Sequence, residues 1–164
     1  FRLSVKVDRS MVTLDDELEL VEAYMELMCY RYPSLHCEYN IDPDLGGVQV
    51  PNFILQPLVE NALLHGIDIK RQTGKIWISG KVKEGELILI VKDNGRGMTQ
   101  EQIEELLKKK GKKTKGLTAV GIPNIQERLQ LYYGTQAKLS LKSSGEGTEA
   151  TIYLPVNRSE DEES

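Results

Sequence analysis

The sequence predicts a domain of the α+β class, because amphipathic helical segments and antiparallel strand pairs occur in one chain. Two hairpins supply the strand pairs: residues 75–91 and 139–154 each place two apolar or alternating runs around a short, glycine-containing turn. An apolar stripe at three- and four-residue spacing over residues 13–32 indicates a helix. The chain of 164 residues is long enough for one domain with its own core and an appended helix.

Composition and charge narrow the possible functions. Apolar residues make up 40% and charged residues 28% of the chain, as in soluble globular proteins. The net charge of −4 comes from the last acidic segment, so no nucleic-acid partner is expected. Cys29 and Cys37 have no metal-ligand spacing and are expected to be reduced thiols. The first residue, Phe1, suggests that the chain belongs to a longer protein, and no signal peptide is visible.

The first helix is predicted to run from Thr13 to about Tyr32. Thr13 followed by Asp16 is a variant of the capping box, and Pro33 stops the helix. Two interpretations stay open: the helix packs on its own domain, or it is a connector that transmits movement from an upstream module. Its apolar positions are Leu14, Leu18, Val21, Met25 and Met28. A strand is predicted next, at residues 35–41.

The stretch from Pro51 to Gly66 predicts a second helix with polar groups that suit a ligand. Pro51 fits the first turn and Gly66 the C-cap, whereas Pro57 is expected to kink or restart the helix. Asn61 and His65 are four residues apart and therefore on one side. An Asn carbonyl is a hard oxygen ligand suited to Mg²⁺, and a His can donate to phosphate. The alternative is a buried polar pair at a helix edge.

The apolar run of residues 87–91 predicts a buried strand that brings Asp93, Gly95 and Gly97 to the end of a sheet. The glycines would let the backbone turn sharply and approach a ligand without a Cβ between them. The carboxylate could accept a hydrogen bond from an amino group. The alternative is an ordinary turn that ends a strand.

Three later stretches complete the pattern. Thr99 is expected to cap a short helix, and the lysine-rich residues 108–116 predict either a solvated loop or a basic flap over polyphosphate. Gly121 leads into a helix that should end at Gly134, and a helix N-terminus of this kind favours phosphate. Residues 145–148, Gly-Glu-Gly-Thr, are predicted to be the loop of the second hairpin.

In chain order, these motifs are an Asn on a helix, D-x-G-x-G after a strand, a glycine turn into a helix, and G-x-G-T in a late hairpin. The set resembles the nucleotide-binding domain of sensor histidine kinases, within the superfamily shared with gyrase, Hsp90 and MutL, over residues 51–155. The amino-acid sequences of residues 55–66 and 124–129 are most similar to those of the YesM/LytS branch of these kinases, as is that of the helix at residues 12–32.

The resemblance implies a two-layer α/β sandwich of the Bergerat (GHKL) type, in which about three helices cover one face of a mixed sheet. Residues 1–34 would be a connector whose helix comes from an upstream dimerisation region. Residues 35–156 would be the ATP-binding catalytic domain, and residues 157–164 a disordered acidic tail. The implied reaction moves the γ-phosphoryl of ATP, with Mg²⁺, to a histidine on an upstream dimerisation helix that this chain lacks.

The same resemblance implies partners and a location. A response regulator would act downstream of the kinase. The full-length protein would be a membrane-anchored homodimer, with this domain in the cytoplasm. The chain has two histidines, His36 and His65, and neither is predicted to lie in a dimerisation helix. This chain is therefore expected to bind nucleotide but not to phosphorylate itself.

Roles for the candidate site residues also follow from the resemblance. Asn61 would hold the Mg²⁺ that bridges the phosphates, and His65 would contact a phosphate. Asp93 would accept a hydrogen bond from the adenine amino group, while Gly95 and Gly97 would let the backbone come close to the base.

The remaining implied contacts lie later in the chain. Residues 98–118 would form the ATP lid, which begins at Met98. Gly121 and Ile122 would bring backbone amides to the phosphates. Thr148 would stand near the adenine-binding carboxylate, directly or through water.

Five positions qualify the resemblance. Ala119 replaces a glycine frequent in relatives, Pro123 is unusual at its position, and Leu64 replaces a frequent Lys. Pro57 stands where ATP-hydrolysing relatives place a base Glu, so hydrolysis by an activated water is not expected. Glu60, beside the metal site, could polarise the incoming imidazole as a catalytic residue or simply face solvent.

Two other functions remain as alternatives. The first is a degenerate nucleotide fold kept as an interaction or regulatory module, which the departures from the family pattern would favour. The second is an ATPase or an anti-sigma-type serine kinase. The missing base Glu disfavours the ATPase, and the upstream helix disfavours the free-standing serine kinase.

Overall fold

A computed structural model describes residues 11–66, 74–108 and 121–156. The lysine-rich loop, Ala119 and the acidic tail lie outside these ranges. The strands are β1 Met11–Thr13, β2 Leu35–Ile41, β3 Gln49–Pro51, β4 Gly74–Lys83, β5 Glu86–Asp93, β6 Lys138–Ser144 and β7 Gly147–Pro155. The α-helices are α1 Leu14–Arg31, α2 Gln56–Asn61, α3 Gln100–Lys108 and α4 Ile122–Tyr133. A π-helical turn, Ala62–Gly66, continues α2, and 3₁₀ turns occur at Pro43–Leu45 and Gly134–Gln136.

The described residues form a mixed sheet of five strands in the order β2-β4-β5-β7-β6. Strands β2 and β4 are parallel, while the pairs β4–β5, β5–β7 and β7–β6 are antiparallel, so both predicted hairpins are confirmed. Glu84 and Gly85 join β4 to β5 with positive φ angles of 52° and 77°, which suits the twist of a two-residue hairpin turn.

One face of this sheet is covered by helices and the other is open. Along β5, Leu87, Leu89 and Val91 are buried, whereas Ile88 and Ile90 on the other face are only half-buried. The apolar run therefore predicts more burial than the strand has, because β5 lies at the centre of a sheet with one uncovered face. The α+β class and the two-layer arrangement are confirmed.

Helix α1 begins and ends as its sequence predicts. The Thr13 side chain accepts a hydrogen bond from the Asp16 N–H at 3.1 Å, and the helix ends before the C-cap residue Tyr32. Its apolar stripe joins the same core as the sheet, so the helix packs on its own domain. The buried members are Leu14, Leu18, Val21 and Met25. Whether α1 also transmits movement from upstream stays a prediction.

The second helix starts later than the sequence predicts. Pro51 ends strand β3, which pairs antiparallel with β1, and the helix begins only at Gln56 with Pro57 in its first turn. The expected role of Pro51 as a first-turn residue is therefore wrong, and Pro57 stands in the first turn of the helix instead of kinking or restarting one. The pairing of Met11–Thr13 with Gln49–Pro51 was not expected, since three-residue strands carry too little periodicity to be recognised.

Candidate functional site

Four side chains, one apolar and three polar, form a row across the helix-covered face of the sheet. The register places Ile76 of β4 opposite Asp93 of β5, and Ser143 of β6 opposite Thr148 of β7. Since directly paired residues of antiparallel strands point to the same face, Asp93, Thr148 and Ser143 lie side by side there. Asp93 and Thr148 are 3% and 6% exposed, so this end of the sheet holds a buried carboxylate beside a buried hydroxyl.

Asp93 is held by two backbone donors. Its Oδ1 accepts from the Gly95 N–H at 2.8 Å and from the Thr148 N–H at 3.3 Å. Burial raises the pKa of this carboxyl, and the two hydrogen bonds from Gly95 and Thr148 partly oppose the rise. Both bonds are to Oδ1. Within the described residues Oδ2 accepts no hydrogen bond, so it can accept one from a ligand amino group.

Glycines allow the loops at this edge to approach each other closely. Gly97 has a φ of 79°, and a Cβ built on it would lie 1.8 Å from the Ser144 carbonyl oxygen. Gly147 has a φ of 138°, and its Cβ would lie 1.9 Å from the Asp93 carbonyl oxygen. Larger residues would both strain the backbone and force these segments apart. The two glycines are thus explained by close backbone approach, and only Gly97 was among the predicted site residues.

Ser143 is a site residue that the sequence does not reveal. Its Oγ accepts from the Met98 N–H at 2.6 Å and lies 2.8 Å from Thr148 Oγ1. It also donates to the Gly147 carbonyl oxygen at 3.2 Å. Ser143 thus fixes Met98, the first residue of the predicted lid, against the last hairpin. A serine in a polar strand end carries no signal of such a role, because its partners are 45 residues away or across a turn.

The helix that carries the other candidate residues approaches the same strands. Asn61 is the last residue of α2 and is half-buried, and the π-helical turn that follows it contacts β5 and β7. Asp93 therefore lies on a strand that packs against the turn directly after Asn61. His65 lies in the π-helical turn, and its side chain is outside the described part of the structure. Such turns interrupt α-helices frequently at functional sites.

Glu60 does not face solvent, so that alternative is wrong. It is 8% exposed and its Oε2 accepts from Gln56 Nε2 at 3.2 Å. Leu64, by contrast, is 68% exposed, and Pro57 is buried in the first turn of α2. The side chain at position 57 therefore offers no acid or base beside Asn61.

Gly121 is the N-cap residue of α4, as predicted, and Ile122 follows as a buried first residue. The carbonyl of Gly121 accepts from the N–H groups of Asn124 and Ile125. No side chain of the described residues caps this helix, and Pro123 in its first turn has no N–H to satisfy. The helix dipole and the backbone amides at the very start of this helix, at Gly121 and Ile122, favour an anion.

A hollow of about 460 Å³ lies at this end of the sheet, and Asp93, Ser143 and Thr148 are among its lining residues. Its walls also include Trp77, Lys92, Lys142 and Glu149. These residues pair across strands in the register next to the Asp93 row, and so point the other way. The hollow therefore reaches from these residues to the Asp93, Thr148 and Ser143 row at the end of the strands.

Two further findings concern metals and membranes. Within residues 11–66, 74–108 and 121–156, no group of three or more His, Cys, Asp or Glu side chains could hold a metal ion. A cation at this site would depend on the carbonyl oxygen of Asn61 and on oxygens of a bound phosphate. None of the described helices is both long and apolar enough to cross a membrane.

Both a family model and known sensor proteins match most of this chain. A family model described as histidine kinase-, DNA gyrase B-, and HSP90-like ATPase matches residues 51–158. The sensor protein LytS of Bacillus cereus is 36% identical over 166 residues, which cover 99% of this chain and 28% of LytS. The sensor histidine kinase/phosphatase LytS of Staphylococcus aureus is 34% identical over 154 residues, covering 92% of this chain and 26% of that protein. The chain thus spans little more than a quarter of these relatives.

Solved structures share the fold at low sequence identity. The nucleotide-free catalytic domain of the histidine kinase ThkA aligns with a TM-score of 0.68 at 14% identity, over 90% of this chain and 95% of that chain. The mycobacterial sensor histidine kinase MprB aligns with a TM-score of 0.63 at 16% identity, over 91% and 98% of the two chains. The match of the family model over residues 51–158 establishes that the chain belongs to the histidine kinase-, DNA gyrase B- and HSP90-like ATPase family.

Proposed function

We propose that this chain is the ATP-binding catalytic domain of a sensor histidine kinase of the LytS type. The observation that carries the proposal is the buried carboxylate of Asp93, held through Oδ1 by the Gly95 and Thr148 amides with Oδ2 left for a ligand. A kinase of this type moves the γ-phosphoryl of ATP to a histidine nitrogen. The name of the LytS relatives and their identity over nearly the whole chain support this class of reaction.

Asp93 would accept a hydrogen bond from the adenine amino group through Oδ2. Its fixed orientation favours recognition, because the two amides on Oδ1 already restrict the carboxylate before the base arrives. Gly95 and Gly97 would give the base access to the backbone, and Thr148 would border it as a buried hydroxyl.

The phosphates would lie between α2 and the start of α4. The side-chain carbonyl of Asn61 would hold Mg²⁺, which when bound neutralises charge on the phosphates. The backbone amides at Gly121 and Ile122 would face phosphate oxygens, since the dipole of α4 favours an anion there. His65 would donate to a phosphate from the π-helical turn. The donor set fits Mg-nucleotide, because one neutral oxygen ligand suffices where phosphates supply the others.

Hydrolysis is not the proposed reaction. A water-activating base would be needed four residues before Asn61, and Pro57 stands there with its ring buried. Glu60 is the nearest acid in sequence. Its burial, and the hydrogen bond to its Oε2 from Gln56, favour a role next to the site, where it would polarise the incoming imidazole.

The phosphoryl acceptor and the other partners would come from outside this chain. His36 is exposed on the edge strand β2, and not on a helix that could join a dimer. We propose an upstream dimerisation helix as the source of the acceptor histidine. A response regulator would follow, as supported by the structure of the related kinase ThkA in complex with the response regulator TrrA. The full-length protein would be a membrane-anchored homodimer with this domain in the cytoplasm.

Titration calorimetry with Mg-ADP and Mg-ATP tests the proposal most directly. We expect Mg-dependent binding with a Kd between micromolar and submillimolar for the unaltered chain. Asp93→Asn should lose it, because an amide N–H₂ would then face the adenine amino group, donor against donor. Asp42→Asn, an exposed carboxylate in a loop, is the matched control and should bind normally. No binding by the unaltered chain would favour the degenerate interaction module instead.

A further inference from the structure

A buried glutamate on α1 caps the beginning of α2. Glu17 is fully buried, its Oε1 accepts from the Phe53 N–H at 2.9 Å, and its Oε2 accepts from the Leu55 N–H at 3.0 Å. Leu55 is the N-cap residue of α2 and has no side-chain oxygen to satisfy the helix amides. Glu17 thus satisfies two amides at the entry to α2, a task that a local Ser or Asp performs in most helices.

An arginine on α4 holds the same segment through its carbonyl groups. Arg128 Nη2 donates to the Asn52 carbonyl oxygen at 2.6 Å and to Asn52 Oδ1 at 3.0 Å. Its Nη1 donates to the Phe53 carbonyl oxygen at 3.4 Å. The planar guanidinium can thus bind two successive peptide carbonyls at once. Residues 52–55, here named the Phe53 turn, are therefore held by α1 on their N–H groups and by α4 on their carbonyls.

The Phe53 turn needs such support. Phe53 has a φ of +56°, a left-handed conformation that is unfavourable for a residue with a bulky side chain. Phe53 is 44% exposed, so burial alone does not fix this conformation. Strained residues of this kind persist where the surrounding contacts over-determine them, and they cluster at functional sites.

Helix α2 is too short to define its own direction. It spans only Gln56–Asn61, fewer residues than an isolated helix needs to be stable in water. Its position therefore depends on its buried side chains and on the segments at its ends. The Phe53 turn precedes it, and Asn61, the proposed magnesium ligand, is its last residue before the π-helical turn.

We propose that Glu17 and Arg128 are positioning residues of the nucleotide site, which act by locking the Phe53 turn and thereby fixing the place of Asn61. The inference rests on the proposed function, since Asn61 matters only if the domain binds Mg-nucleotide. Misplacement of a binding group by about 1 Å is enough to weaken its contribution by orders of magnitude. Neither residue is among the proposed nucleotide contacts, so their effect would pass through the backbone of α2.

A second contact joins α1 to α2. The two helices also pack directly against each other. Helix α1 therefore meets α2 both at its N-cap and by direct packing. A displacement of α1 would disturb α2, which carries the proposed metal ligand.

The test compares Glu17→Gln and Arg128→Lys in the 164-residue chain, with Mg-ADP as the probe. Glu17→Gln keeps one acceptor oxygen but replaces the other with a donor. Arg128→Lys keeps the charge but loses the planar guanidinium that binds two carbonyls at once. We expect each to weaken Mg-ADP binding about tenfold, a size typical of coupling between sites. The controls Glu19→Gln and Arg31→Lys change exposed residues on α1 and should leave the Kd unchanged.

Binding must be measured where circular dichroism shows each variant to be fully folded. If the buried Glu17→Gln variant does not fold, Arg128→Lys still tests the proposal. In the double variant the two effects should combine to less than their product, because both act through one turn. Normal binding by both folded single variants would overturn the inference but leave the proposed function standing. Failure of the unaltered chain to bind Mg-ADP would instead refute the proposed function.

Hydrogen exchange without nucleotide gives an independent result. The N–H groups of Leu58 and Val59 bond to the Leu55 carbonyl and report on the first turn of α2. We expect them to exchange faster in Glu17→Gln, while Ile152 in the sheet core stays protected. Equal acceleration at all three positions would mean that Glu17 stabilises the whole fold, and would overturn the positioning role.

Discussion

Ser143 Oγ lies 2.8 Å from Thr148 Oγ1, and the same oxygen accepts the Met98 N–H at 2.6 Å. The pair joins two antiparallel strands to the loop that follows the buried carboxylate of Asp93. Because the Thr148 N–H also bonds to Asp93 Oδ1, the orientation of the carboxylate depends on the hairpin that Ser143 stabilises. The site is therefore built across β5, β6 and β7 rather than by β5 alone.

Ser143→Ala should weaken both the fold and the site. It leaves the Met98 N–H and the Thr148 hydroxyl without this partner, at a cost of about 1–3 kcal/mol in the free energy of unfolding. Urea denaturation measures this loss, and Mg-ADP affinity should fall several-fold because Met98 is released. Ser144→Ala, which removes an exposed hydroxyl that accepts from the Glu146 N–H, should change neither. Equal effects of the two substitutions would contradict this account.

Two glycine substitutions in the last hairpin should distinguish a glycine that close backbone contact requires from one that is only favoured by the turn. Gly147→Ala places a methyl group against the Asp93 carbonyl at a φ of 138°, and should destabilise the fold by about 2–4 kcal/mol or prevent its formation. Gly145→Ala is the matched control, because nothing lies within 4 Å of its Cβ and its φ is not positive. Thermal unfolding of both variants checks the prediction. A stable Gly147→Ala protein would show that the two segments are not in contact.

Asp93→Asn should bind nucleotide poorly and yet unfold no more easily than the unaltered protein. The amide Oδ1 can still accept from Gly95 and Thr148, while the cost of burying a charge disappears. We therefore expect equal or greater stability at pH 7 in urea, together with a loss of Mg-ADP affinity of at least about a hundredfold. A large loss of stability would mean that the carboxylate is retained for the fold and not for a ligand.

The stability difference between these two proteins should depend on pH. Burial raises the pKa of Asp93 in the folded state above its unfolded value of about 4. A carboxyl with a raised folded pKa stabilises the fold fully below the unfolded pKa, and that contribution is lost as pH rises through the folded pKa. The advantage of Asp93→Asn should thus be largest at neutral pH and vanish below about pH 4. Urea denaturation of both proteins from pH 3.5 to pH 7 is the measurement, and a difference that grows on acidification would refute it.

The 164-residue chain alone should not phosphorylate itself. Incubation with Mg-ATP labelled at the γ-phosphoryl should leave it unlabelled, because the register places the exposed His36 side chain on the sheet face opposite the Asp93 row. His36→Ala is the control that distinguishes a slow side reaction from a true acceptor. Labelling that His36→Ala abolishes would overturn the assignment of the acceptor to another helix.

Local signals were enough to predict most helices and strands. Thr13 before α1, Thr99 before α3 and the glycine turn at Gly121 each cap a helix through neighbours within three or four residues. The turn at Glu84-Gly85 likewise fixes its own hairpin. Such features depend on residues close in sequence, so a single chain reveals them.

Longer-range features could not be predicted in this way. Pro51 suits a helix start in isolation, but pairing with Met11 places it in a strand. Glu17 carries the signal of an ordinary acid in a first helical turn, and only the fold shows that it caps a different helix 38 residues away. Burial of such a carboxylate is favourable only because two amides meet it there, which no local pattern encodes.

The sequence by itself determined the family resemblance, the order of the motifs and the residues proposed to contact nucleotide, because glycines, caps and alternating strands act through nearest neighbours. The tertiary structure decided which groups hold those residues in place. Ser143 and Arg128 act on segments 45 and 76 residues away in sequence, and Glu17 acts across 36 and 38 residues. Hydrogen bonds of this kind exist only once helices and strands pack, since their geometry is set by the shared core and not by the chain on either side.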